Sequence, residues 1–215
     1  MSTSPASRPR YTLGEEIANS VTHGLGVILS IVGLVVLIMD AMATGSTRHV
    51  VSVVIFGSSL ILLYLASTLY HSLPAPAAKR VFKLLDHSAI FLLIAGTYTP
   101  FTLIVLPPAW GWSIFGIIWS LAFLGILFKL AWISRFPKVS LIIYITMGWL
   151  CVVAIHQIVA NLSGTSLSLL IAGGLSYTVG TIFYAWRSLP YSHAIWHLFV
   201  LGGSIAHFFS VLTAA

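Results

Sequence analysis

Seven long apolar runs follow one another along the chain, separated by short polar breaks. Their approximate limits are Asn19–Met42, Val50–Ser72, Phe82–Leu106, Trp110–Trp132, Val139–Ala160, Leu167–Trp186 and Ser192–Thr213. A membrane-crossing helix needs about 20 mainly apolar residues, and each run supplies them. Inside a bilayer the backbone has no water to bond, and a helix satisfies its N–H and C=O groups within one segment. The pattern predicts an all-α protein: a seven-transmembrane-helix bundle. Short loops take up what remains, so the expected division is an N-terminal tail over 1–18 and one membrane domain over 19–215, with no room for a second domain.

Composition narrows the class further. Of the 215 residues, 59% are hydrophobic and only 7% are charged, with a mean hydropathy of +1.04. Soluble domains carry about 25% charged residues. This excludes a soluble enzyme, a disordered chain and a nucleic-acid-binding module. The net charge of +6 comes from ten Lys and Arg set against four Asp and Glu. Those cations sit at the ends of apolar runs, where they report topology rather than nucleic acid. Nine fall on one side of the predicted bundle: Arg8, Arg10, Lys79, Arg80, Lys83, Lys129, Arg135, Lys138 and Arg187. Arg48 alone falls on the other. The bias places the N-terminus in the cytoplasm and the C-terminus outside, as a multi-pass protein of the inner (plasma) membrane. The first fifteen residues lack the apolar core of a cleavable signal. The first span is therefore expected to double as an uncleaved anchor.

Local features carry further expectations. Trp110 and Trp112 suit the headgroup level. The run Thr97-Tyr98-Thr99-Pro100 predicts a kink whose freed backbone groups the threonines could satisfy. Gly173-Gly174 and Gly202-Gly203 read as close helix contacts. Cys151, the single cysteine, excludes a disulfide within the chain and reads as a packed small residue.

Ionisable residues within spans are costly and mark candidate functional sites. Glu16, Asn19 and His23 open the first span, His71 closes the second, Asp86 and His87 open the third, and His193 and His197 open the seventh. On the predicted topology all eight share one depth, at the cytoplasmic side. His49, His156 and His207 lie toward the other side and read as interfacial or inter-helix polar residues. His193 and His197 are four apart, hence on one helix face. Ser67 and His71 repeat that spacing on another helix. Three histidines from two helices, with one position left for water, suit a catalytic zinc, and imidazole is a good zinc ligand. Asp86 could orient a histidine or take a proton from water on the metal, and Ser67 could place water or donate to an oxyanion.

Spacing and depth alone leave alternatives open. The histidines could instead form a hydrogen-bonded bridge between spans. Another divalent ion could replace zinc. Ser67 could bond back to the carbonyl four residues earlier. Asp86 could simply complement Lys83 or a helix start, and Glu16 could cap the first span. His23 and Asn19 read as structural hydrogen-bonding residues. His87 should point about 100° away from Asp86 around the helix.

Glu16-x2-Asn19-x3-His23, Ser67-x3-His71, Asp86-His87 and His193-x3-His197 resemble the signature of the haemolysin III / PAQR (progestin and adipoQ receptor) family, in its bacterial inner-membrane branch. The stretches Leu65–His71, Ala95–Pro100 and Tyr191–His197 add to the likeness, which runs from Tyr11 onward. It implies zinc on His71, His193 and His197, with Asp86 on a water at the metal and Ser67 nearby. It also groups the chain with seven-helix membrane proteins proposed to be metal-dependent hydrolases, among them the alkaline ceramidases. The receptor members carry a long soluble segment ahead of the first span, which counts against a hormone-receptor role here.

The expected activity is zinc-dependent hydrolysis of a lipid-like amide or ester, the substrate entering sideways from the cytoplasmic leaflet. The alternative is a non-enzymatic sensor or regulator of membrane homeostasis, in which zinc clamps the spans together. The confinement of ionisable groups to one leaflet argues against a channel or transporter.

Overall fold

The computed structural model describes residues 11–132 and 136–214. Arg8, Arg10 and Arg135, used above to orient the bundle, lie outside the described residues, as does most of the expected tail. The elements in order are α1 (Leu13–Ala43), α2 (Thr47–Ser72), α3 (Pro76–Pro100), a π-turn (Phe101–Val105), α4 (Pro108–Trp132), α5 (Pro137–Gly148), a 3-10 turn (Leu150–Ala154), α6 (Ile155–Asn161), α7 (Gly164–Ala185) and α8 (Ser192–Leu212). They make seven segments long and apolar enough to cross a membrane, the third and fifth being composite. The protein is all-α and multi-pass.

α1 starts at Leu13 rather than Asn19 because its polar first turn is capped. Thr12 accepts a hydrogen bond from the Glu15 N–H through its hydroxyl, and the Glu15 carboxylate accepts from the Thr12 N–H at 2.8 Å. Such a reciprocal pair draws polar residues into a helix that an apolar count would begin later. Glu15, not Glu16, is therefore the capping acid, and Glu16 is left for another use.

Polarity runs inside out, as lipid requires. The buried face of α1 reads Asn19, His23, Gly26, Ser30, Leu37 and Ala41, a single helical stripe. Val21, Leu25, Ile28, Val32 and Val35 stand exposed on the outer face. Lipid tails are as apolar as these side chains, so small and polar groups drive the inward contacts instead. Of the two glycine pairs, Gly173 and Gly203 sit tightest in the α7–α8 contact. A Cβ on Gly173 would meet the His207 ring at 2.7 Å, and one on Gly203 would meet the Tyr177 ring at 2.5 Å.

Both composite spans have a stated cause. Pro100 has no N–H to offer the Gly96 carbonyl, and just beyond it the Leu106 N–H bonds to the Phe101 carbonyl, a π-type step. Thr97 and Thr99 donate back to the Leu93 and Ala95 carbonyls at 2.8 Å each. In the fifth span the interruption after Gly148 is held by Tyr98 of α3. Its hydroxyl contacts the Met147 and Gly148 carbonyls at 3.0 and 2.9 Å and accepts from the Cys151 N–H at 2.8 Å. One phenol thus serves the backbone groups that the broken helix releases.

α1, α2 and α3 pack side by side, α7 packs along α8, and α8 closes back onto α1, whereas the fifth span touches its neighbours sparingly. A cavity of about 210 Å³ remains between α3, the fifth span, α7 and α8. Its wall is largely apolar, with Leu93, Phe101, Leu170 and Val200 among its lining residues.

Candidate functional site

Three helix ends meet at one level of the bundle. α2 ends just beyond His71, α8 begins just before His193, and the polar first turns of α1 cross between them. Tyr191, ahead of α8, holds a left-handed φ of 56°, and its N–H donates to Glu15 Oε1 at 3.1 Å. The starts of α1 and α8 are tied together by that bond.

His71, His193 and His197 converge there. Each offers a ring nitrogen, and the three nitrogens lie within 4.8 Å of one another. His71 and His197 are buried. The second nitrogen of each of these two rings is already engaged. His71 Nδ1 donates to Glu16 Oε2 at 2.6 Å, and Lys79 donates to the other Glu16 oxygen. His197 Nδ1 donates to the Asn19 carbonyl at 3.2 Å, with Thr22 Oγ1 equally near. A proton fixed on Nδ1 leaves the Nε2 lone pair for a ligand. His71 Nε2 is enclosed with no hydrogen-bond partner. An unpaired buried nitrogen inside a cluster of three imidazoles, two of them oriented through their other nitrogen, fits the donor set of a zinc site.

The remaining expected residues take distinct places. Asp86 is buried and lines the cavity beside His193 and His197, but it is not part of the 4.8 Å cluster. Its Oδ2 lies 3.0 Å from His87 Nδ1. The adjacent histidine therefore swings back toward the aspartate instead of diverging from it, because the side chains outreach the separation of their Cα–Cβ bonds. Ser67 is fully buried, and its hydroxyl has no hydrogen-bond partner, so the back-bond to the preceding turn is not formed. His23 stacks on the His197 ring, centroids 3.4 Å apart and planes within 10°, with neither nitrogen hydrogen-bonded. It steadies that ring by packing rather than by the hydrogen bond expected of it.

The chain matches the family profile described as Haemolysin-III related over residues 11–208. It belongs to the haemolysin III family. Among its haemolysin III relatives, Hemolysin-3 of Bacillus cereus is 53% identical over 210 residues, covering 98% of this chain and 96% of that protein. The Hemolysin-3 homolog of Bacillus subtilis (strain 168) is 52% identical over 202 residues, 94% of this chain and 95% of that one. Human monocyte to macrophage differentiation factor is 27% identical over 212 residues, 95% of this chain and 86% of that protein. No solved structure matches the chain. As a haemolysin III protein with seven apolar helices it is a multi-pass protein of the plasma membrane.

The roles of three contributors to the histidine cluster were not legible in the apolar pattern. Glu16 falls in the polar layer, but its role reads there as a helix-end charge, whereas it is the carboxylate on His71. Thr22 beside His197 is an ordinary span residue in sequence. Tyr11, assigned to the tail, stacks against His193 with centroids 5.2 Å apart. Only Glu16 left a usable sign: a second acid beside the one consumed by the capping box.

Proposed function

We propose that this haemolysin III protein is a zinc-dependent membrane hydrolase that cleaves a lipid-like amide or ester. The observation that carries the reading is the set of three converging imidazoles with an unpaired, buried Nε2 on His71, set against an apolar cavity. His71, His193 and His197 would hold the metal, with Glu16 and the Asn19 carbonyl fixing the orientation of two of them. When bound, zinc supplies Lewis acidity, polarising a carbonyl and lowering the pKa of water. Asp86 accepts the proton released from the attacking water and returns it to the leaving group. The Ser67 hydroxyl, which has no partner of its own, donates to the oxygen where negative charge develops. The cavity takes the apolar tail, and the sparsely packed fifth span gives a lipid sideways entry. With the cation-rich side in the cytoplasm, the site works at the cytoplasmic leaflet.

Three protein ligands leave the fourth position that catalysis needs, whereas structural zinc sites fill it. The position of Asp86 outside the cluster favours the open arrangement over a zinc clamp. The test is hydrolysis of a panel of lipid amides and esters by zinc-supplied protein in nanodiscs, wild type beside His71→Ala. Cleavage by wild type that is lost with His71→Ala is the expected result. A His71→Ala protein that keeps both its metal and its turnover would sink the proposal.

A further inference from the structure

The cavity that begins at His193 and His197 also reaches His207. His197 and His207 are ten residues apart on the unbroken α8, a rise of about 15 Å. The far wall therefore carries an imidazole where a purely apolar tail would need none. His207 is buried, and its Nδ1 is enclosed with no hydrogen-bond partner. The opposite edge of the ring is seated on bare backbone, since a Cβ on Gly173 would lie 2.7 Å from Nε2. Alanine in place of that glycine would push the imidazole from this position.

Neighbouring polar groups do not serve it. Tyr64 donates to Ser204 Oγ at 2.7 Å, and the Tyr177 hydroxyl pairs with the same oxygen at 2.9 Å. Neither of these hydrogen bonds involves His207. Tyr177 also lines the cavity and meets the His207 ring with centroids 5.3 Å apart. A polar group within a bilayer that finds no partner in its own protein is costly to keep.

We propose that His207 forms a second subsite, which binds a hydroxyl carried on the tail of the lipid whose carbonyl sits at the three histidines. A hydroxyl both donates and accepts, so it satisfies either tautomer of the imidazole. A carboxylate at that depth would bring an uncompensated charge into the membrane, and an unsubstituted tail would leave the imidazole without a polar partner, Nδ1 included. The assignment of the tail to this cavity rests on the lipid-hydrolase reading, and the subsite adds which lipids are preferred.

Binding can be read without turnover. Fatty acids of increasing length and their terminally hydroxylated counterparts would compete with a fluorescent fatty acid for the protein in nanodiscs. Wild type should bind the hydroxylated acid about tenfold more tightly at the length that reaches His207, and at that length only. In His207→Phe the preference should vanish while affinity for the unsubstituted acid stays within about twofold. Equal affinity of wild type for both series, no binding of either, or a preference that survives in His207→Phe would overturn the subsite. The wild-type comparison decides even if the variant fails to fold. Since no hydrolysis is measured, loss of the hydroxyl preference leaves the hydrolase reading standing, and failure of the metal site leaves the wild-type preference to be judged alone.

Discussion

Asparagine at Asp86 is expected to lower hydrolysis about 10²–10⁴-fold while the metal stays bound. The expectation follows from where the side chain lies. Asp86 faces the same cavity as His193 and His197 but stands outside the cluster of three ring nitrogens. Asparagine preserves its size and shape and removes its charge and its ability to take a proton. Metal content and turnover measured on one preparation separate the two roles. Loss of zinc together with activity would make Asp86 a ligand and turn the site into a closed clamp. Full activity with asparagine would remove it from the proton pathway.

The second large effect concerns the scaffold. Gly111, in the first turn of α4, sits against the π-turn that ends the third span. A Cβ added there would lie 2.1 Å from the Thr102 carbonyl oxygen. That oxygen belongs to backbone and cannot rotate away as a side chain would. Gly111→Ala should therefore force α4 from α3 and destabilise the protein by about 1–3 kcal/mol. Gly116 lies on the same helix with nothing within 4 Å of its added Cβ. Gly116→Ala should stay within about 1 kcal/mol of wild type or gain slightly from helix propensity. Thermal unfolding of the two variants in one detergent tests the contrast. Equal melting temperatures would show that the π-turn yields easily. The consequence reaches the cavity, because Phe101 and Thr102 of that turn form part of its wall.

Much of the architecture was readable because apolar length is a strong signal in a membrane chain. The second span, for instance, was expected over Val50–Ser72 and runs over Thr47–Ser72. Its start differs because Ser46 caps the helix through its hydroxyl, a feature invisible to hydropathy. The breaks were less evenly legible. Pro100 announces the disturbance in the third span, since a missing N–H is written in the residue itself. The break after Gly148 is not, because what stabilises it is Tyr98 on a different helix. The same division applies to the site. His193 and His197 can be paired from spacing alone, and their convergence with His71 follows from shared depth. The partner of His71 cannot be found that way, since it depends on how far α1 extends and which face its first turn presents. Hydropathy begins that helix too late, so Glu16 looks like a cap when the structure makes it the carboxylate on His71.

The claim on which the rest depends is that the three histidines hold a metal. Elemental analysis of detergent-purified protein, supplied with zinc and kept free of chelators, tests it most directly. The wild-type chain should carry about one zinc, and the His193→Ala/His197→Ala variant should carry none, because removing two of three ligands leaves no site. A wild-type protein without metal under those conditions would contradict the account, and the polar layer would then be a hydrogen-bonded clamp between α1, α2 and α8.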